Sequence, residues 1–207
     1  MASLLTSISD FLSSVFSPFL SPLLRYLSPP LPHTTLLLGL DSAGKSTLLS
    51  SLLMTAHHHA PTLTPKSRTT TLANTTFTLH DLGGHEAVRH VWSDYVSSHL
   101  TSNSSVIFMV DTSTLSSRTD EVVAEMCDVI DLLEDGSCKF AAFFNKADIC
   151  PVDAEKLWRG ELEPARECLE EWKEGGEEGG KRWKVFGGSA KTGEGVEEMF
   201  AWLAGLA

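Results

Sequence analysis

The chain has 207 residues, of which 42% are hydrophobic and 21% charged, and its formal net charge is −11 at pH 7. That length suits one α/β domain with an appendage and leaves room for a sizeable core. The acidic balance argues against a nucleic-acid partner, which needs a basic face.

The first 32 residues, MASLLTSISDFLSSVFSPFLSPLLRYLSPPLP, differ in kind from the rest. Leu4, Leu5, Ile8, Phe11, Leu12, Val15 and Phe16 recur at helical spacing, and the pattern continues to Leu27. This predicts an amphipathic helix over residues 1–17 with a wide apolar stripe and a serine-rich opposite face. Pro18 and Pro22 are expected to end or kink it, and Ser28–Pro32 reads as a stiff linker. The helix either packs permanently on the domain or lies in a membrane interface. The membrane reading is favoured, and the two are compatible as alternate states. Serines give little attraction to anionic lipid, so insertion would depend on apolar burial. No segment has the roughly 18 unbroken apolar residues of a membrane span. No Lys or Arg precedes Arg25, which argues against a signal peptide. Ala2 stands where an N-myristoylated chain needs glycine, and the final AGLA offers no prenylation cysteine. Membrane contact is therefore expected from the peptide itself. The organisation predicted is an arm and linker over 1–32, then one domain over 33–207.

The domain opens with an apolar run, Thr34–Leu38, followed by GLDSAGKSTLL. A loop that wraps an anion with backbone N–H groups needs glycines at strained positions, supplied here by Gly39 and Gly44. The helix that follows aims its positive end at the same anion. Asp41, Ser42, Ala43, Gly44, Lys45, Ser46 and Thr47 are the expected phosphate-binding residues. Lys45 is expected on the β- and γ-phosphates, and the Ser46 hydroxyl on magnesium. The loop alone does not say which nucleotide is bound. His57–His59 read as a polar loop after this helix.

Three further segments each follow a short apolar strand: TTFTLHDLGGHE (75–86), AAFFNKAD (141–148) and VFGGSAK (185–191). This order predicts a doubly wound parallel sheet with ligand loops at the strands' carboxyl ends. Asp81 is placed to hold magnesium through water, and Gly84 to offer an N–H near a γ-phosphate. NKAD selects the base, because a carboxylate at Asp148 accepts from both N1–H and N2–H₂ of guanine, a donor pair adenine lacks. Asn145 and Lys146 brace that pocket, the Ala190 N–H is expected to meet guanine O6, and Ser189 and Lys191 flank it. Cys127, Cys138, Cys150 and Cys168 form no Cys-x-x-Cys pair, which suggests a reducing compartment and no zinc site. The acidic stretch 170–181 reads as a solvated loop after a helix.

Together these motifs resemble the Sar/Arf family of small GTPases, most nearly its Sar type, which implies an α/β P-loop GTPase domain with a doubly wound, mostly parallel six-stranded sheet and helices on both faces. The likeness is strongest in APTLTPKSRTTTLANTTFTLHDLGGHEAVRHVWSDY (60–95), good over roughly 34–148, and loose from 149 to 180. Arg68 and Thr69 replace the usual acidic pair, Ser46 replaces threonine, and GGSAK replaces the Cys-Ser form. The resemblance implies that Thr62 joins magnesium only when the γ-phosphate is present, and that His85 orients the attacking water. It also implies GTP and GDP as substrate and product, an exchange factor, and coat subunits that include a GTPase-activating partner. Arg68 and Arg89 are expected to serve the surface or a partner, so unassisted hydrolysis should be slow. The hairpin Thr69–His80, turning near Asn74, is expected to slide when GTP binds and free the N-terminal helix. The site of action implied is the cytoplasmic face of the endoplasmic reticulum, cycling with cytosol, or the Golgi, with a role in COPII transport. An Arf-like GTPase of another membrane and a GTP-binding receptor subunit, such as signal-recognition-particle receptor β, are the alternatives.

Overall fold

The computed structural model describes residues 32–54, 62–72, 74–101, 103–133, 138–151, 153–172 and 182–205. The amphipathic arm, His57–His59 and most of the acidic stretch lie outside them. Strands β1 (His33–Leu38), β2 (Lys66–Leu72), β3 (Thr75–Asp81), β4 (Ser104–Asp111), β5 (Lys139–Asn145) and β6 (Trp183–Gly187) form one sheet in the order β2-β3-β1-β4-β5-β6. Only β2 runs antiparallel to its neighbour. The β2–β3 hairpin is longer than expected, pairing from Lys66–Asp81 to Leu72–Thr75, and it turns through Asn74 at φ +58°. Asparagine tolerates that left-handed geometry better than most residues.

The central strands are buried on both faces, so they read as continuous apolar runs rather than alternating ones. Leu36, Leu38, Val106, Phe108, Phe140 and Phe144 point to one side, where Trp92, Met126, Trp158 and Leu169 cover them. These covering residues come from α3 (Val91–His99), α4 (Leu115–Asp131), α5 (Ala154–Arg159) and α6 (Glu163–Trp172). Leu37, Ile107, Met109, Ala141 and Phe143 point to the other side. There they meet Leu48 of α1 (Lys45–Leu52) and Met199 and Phe200 of α7 (Val196–Leu203). The short helix α2 (Glu86–Arg89) leads into α3.

Register places the site. Leu37 is level with Asp81, Asp111 with Asn145, and Phe144 with Gly187. The parallel strands therefore deliver the phosphate loop, Asp81, Asn145 and the 187–191 loop to one end of the sheet.

Candidate nucleotide site

The phosphate loop leaves β1 at Gly39 and enters α1 at Gly44, whose φ is +99°. Gly44 must be glycine on two counts: its backbone is left-handed, and an added Cβ would strike the Asn145 side-chain amide. Ser42 also has positive φ, at +60°, which shapes the turn of the cradle. Thr47 follows Ser46 in the first turn of α1, and the Leu48 N–H donates to Gly44 O at 2.9 Å.

Lys45 is 6% exposed, and its Nζ donates to Gly39 O and Leu40 O, both at 2.7 Å. Burial pushes its ammonium down to about 8, against the opposing pull of Asp81 and Asp41. The lysine is thus held across the loop by two carbonyls. Gly84 stands directly against it, for a Cβ there would meet Lys45 Nζ and Gly39 O.

Three oxygens converge beside Lys45. Ser46 Oγ donates to Asp81 Oδ2 at 2.6 Å and lies 3.0 Å from Thr62 Oγ1, which itself donates to Asp81 Oδ2 at 3.3 Å. Asp81 is fully buried, and its Oδ1 has no hydrogen-bond partner. An orphaned, buried carboxylate oxygen beside two hydroxyls is a donor set for a hard cation, and Mg²⁺ fits it. Ser46, Thr62 and Asp81 would hold that ion, the carboxylate directly or through water.

At the other end of the cradle, Asn145 ties two loops together. Its Nδ2 donates to Ala43 O at 2.7 Å, and its Oδ1 accepts from the Ala190 N–H at 2.8 Å. The Ala190 N–H, expected at guanine O6, here donates to Asn145. Once Ala43 fixes the Asn145 amide, its carbonyl faces Ala190 and takes that donor. Lys146, at φ +73°, reaches back to Asp111 Oδ2 at 2.6 Å. Asp148 Oδ1 accepts from Ser189 Oγ at 2.7 Å, and Lys191 Nζ lies 3.9 Å from Asp148 Oδ2. Ser189 Oγ in turn accepts from the Lys191 and Thr192 N–H groups at 3.2 and 3.3 Å. The carboxylate predicted to read guanine is therefore held by the loop expected to flank the base.

His85 is the N-cap of α2, its Nδ1 accepting from the Ala87 N–H at 3.3 Å. With Nδ1 engaged as an acceptor, the neutral ring carries its proton on Nε2. The loop before it is fastened from behind: Trp92 Nε1 donates to Gly83 O at 2.9 Å, and Arg89 Nε to Gly84 O at 2.8 Å.

Arg89 departs from expectation in another respect. Rather than serving the surface, it is 9% exposed and pairs with Glu121 and Glu125 of α4, both at 2.7 Å. Arg118 extends the network by bonding Glu121 at 2.8 Å and the phosphate-loop residue Asp41 at 2.7 Å. Arg118 sits at a kink in α4 (φ −130°, ψ 18°). Asp41, predicted as a phosphate-loop residue, thus has its side chain turned to α4. Arg68, by contrast, is exposed and donates to Ser67 O at 2.9 Å. Sequence reading missed the network because its members come from segments beginning near residues 41, 89 and 118, with no local spacing to link them.

Hydrogen bonds from Arg118 and Arg89 hold the Glu121 carboxyl at about 2, below its ordinary 4.5. A depressed carboxyl stabilises the fold above its unfolded pKa and loses that contribution as pH falls through its folded pKa. Stability should therefore fall between about pH 4.5 and pH 2. Glu121→Gln should be less stable than wild type at pH 6, and the gap should close across that window in urea unfolding curves.

A glycine-turned loop carrying Lys45, a carboxylate–hydroxyl cluster and the NKAD carboxylate, all at the carboxyl ends of a mostly parallel sheet, define a P-loop nucleotide-binding protein. The sequence model of the ADP-ribosylation factor family matches residues 30–206, and the chain belongs to that family of small GTPases. Among relatives, it is 35% identical over 117 residues to the small COPII coat GTPase SAR1 of Giardia intestinalis, covering 56% of this chain and 59% of that one. It is also 35% identical over 100 residues to SAR1B of Dictyostelium discoideum, covering 48% of each. The chain thus spans about half the length of these curated relatives. ADP-ribosylation factor J of Dictyostelium discoideum is 29% identical over 207 residues, covering 99% of this chain and 96% of that protein. Among solved structures, a chain of the mammalian SRP receptor superposes with a TM-score of 0.66 at 24% identity, covering 84% of this chain and all of that one. The Arl6 BBS3 small GTPase of Trypanosoma brucei, with bound GppNp, superposes at 0.64 and 24% identity, covering 84% of this chain and 96% of that one. Both structural likenesses speak for the fold.

Proposed function

We propose that this chain is a GTP-hydrolysing switch of the Sar type. With GTP bound, it inserts the helix of residues 1–17 into the cytoplasmic face of the endoplasmic reticulum and recruits COPII coat; with GDP it returns to the cytosol. The observation that carries the switch is the meeting of Thr62 with Ser46 and Asp81. Thr62 lies outside the strands and helices, four residues before β2 begins at Lys66, so its link to the cradle can depend on what fills it. The two Sar relatives support the transport role.

In this reading Lys45 leaves the Gly39 and Leu40 carbonyls for the β- and γ-phosphates, and the Gly84 N–H donates to a γ-phosphate oxygen. Magnesium, when bound, supplies positive charge to the triphosphate. Asp148 accepts the two guanine donors while Asn145 holds the phosphate and base loops in register. His85 presents Nε2–H to the attacking water. Arg89 and Arg118 are both tied in ion pairs, so neither is free to steady charge on the transferring phosphoryl group. An arginine from a partner does so, a contribution of ~10³ to 10⁵ in rate. An exchange factor then restores GTP. His85→Ala should slow single-turnover GTP hydrolysis by ~10²-fold or more. Its nucleotide affinity, by fluorescent-nucleotide titration, should match wild type.

Liposome flotation with purified COPII coat subunits tests the proposal. Full-length protein should float, and carry coat with it, with a non-hydrolysable GTP analogue but not with GDP, and deletion of residues 1–17 should abolish both. Nucleotide-dependent flotation without coat would instead favour an Arf-like GTPase of another membrane, such as the Golgi. The near full-length alignment with ADP-ribosylation factor J gives that second reading its support.

A further inference from the structure

We propose that Cys127 and Cys168 form an oxidisable dithiol, a redox modification site that closes into an intramolecular disulfide joining α4 to α6. Their Sγ atoms lie 2.9 Å apart although the residues are 41 positions apart in sequence. The approach is held by the core. Met126 and Ile130 flank Cys127 and are buried, as are Ala165 and Leu169 beside Cys168, and the two helices pack directly together. A disulfide needs its sulfurs about 2.05 Å apart, so closure asks for less than about an ångström of movement.

The other cysteines lack this arrangement. Cys138 is buried, and Cys150 Sγ faces Thr112 O at 3.8 Å. Cys127 and Cys168 are both partly exposed, so a small peroxide can reach them. Neither touches the nucleotide site, so the reaction is separable from GTP binding.

Hydrogen peroxide is the oxidant class that completes the chemistry. One sulfur, as thiolate, attacks a peroxide oxygen; the O–O bond breaks, an S–O bond forms, and the departing hydroxide leaves as water. The second sulfur attacks that sulfenic sulfur, the S–S bond forms, and the oxygen leaves as a second water. Two thiols and one peroxide give one disulfide and two waters; sulfur is oxidised and peroxide oxygen reduced. Burial pushes the Cys127 thiol up to about 12, so the reaction should run faster as pH rises.

The test treats the reduced full-length protein with hydrogen peroxide at pH 7 and pH 8.5, blocks free thiols, and reads intact mass, linked peptides and melting temperature. Expected are the loss of two hydrogens, one linked pair containing Cys127 and Cys168, faster conversion at pH 8.5, and reversal by dithiothreitol. Bridging this span should raise the melting temperature by about 5–10 °C. A Cys138→Ser, Cys150→Ser double variant should behave like wild type. Cys127→Ser and Cys168→Ser, each with a wild-type circular dichroism spectrum, should lose both the mass change and the thermal shift. Sulfinic acid at either cysteine in place of the link, a link to another cysteine, or oxidation that lowers the melting temperature would overturn the proposal.

Discussion

Asp148→Asn should lose GTP affinity by ~10³ to 10⁴ and gain xanthosine triphosphate in its place. A site built to hydrogen-bond a particular edge rejects the analogue that leaves its buried groups unpaired, by as much as 10⁴ to 10⁵. Asp148 Oδ1 accepts the Ser189 hydroxyl and Oδ2 lies 3.9 Å from Lys191 Nζ, and in the proposed site both oxygens also accept from the base edge. Asparagine keeps one acceptor and turns the other into a donor. That donor opposes the guanine N–H groups and complements the C2 carbonyl of xanthine. Ser189 can still donate to the asparagine carbonyl, so the loop should keep its shape. Competition titrations with GTP, XTP and ATP read the result. A variant that binds GTP as wild type does would remove Asp148 from the base site.

Arg89→Ala carries the second large effect, and it acts on stability and switching together. The guanidinium is buried and bonded to Gly84 O, Glu121 and Glu125, so its removal takes the ion-pair partner from Glu125, leaves Glu121 to Arg118, and frees the Gly84 carbonyl. Removing one member of a buried pair typically costs about 3–5 kcal/mol. The glutamates here are partly exposed, which screens them and lowers the expectation to about 2–3 kcal/mol. Arg89→Lys should recover little, because three partners at different angles need a planar fork rather than a point charge. Urea unfolding reads the first effect. The second should appear as a narrower affinity gap between GTP and GDP, since Gly84 is no longer held from behind.

The N-cap role of His85 sharpens its expected part in hydrolysis. A ring that accepts the Ala87 N–H through Nδ1 is already oriented, and the bond selects the tautomer with Nε2–H outward. It can order a water by donating to it; to take a proton it must first let go of the helix. His85→Gln, which offers both a donor and an acceptor, is the informative companion to the alanine variant.

Much of this protein is written locally. Gly39, Gly44, Lys45 and Ser46 follow a strand and open a helix, and that spacing reads as an anion cradle because glycines at positive φ let backbone N–H groups turn inward. Asp81 and Asn145 end apolar runs, and in a parallel sheet such positions fall at one end. The hairpin around Asn74 was legible from its turn residue, though not its full length, since the pairing of Lys66 with Asp81 depends on neighbouring strands rather than on the turn.

Other features belong to the tertiary structure. Ala190 donates to Asn145 because a side chain from another strand is fixed by Ala43. Arg89 turns inward because α4 brings Glu121 and Glu125 to it, and Arg118 reaches Asp41 across 77 positions. Cys127 meets Cys168 only because two helices share one face of the sheet. Each of these contacts joins residues far apart in the chain. Local spacing encodes which groups a loop or helix presents; the partner each group finds depends on how separate elements pack, and periodicity carries no record of that.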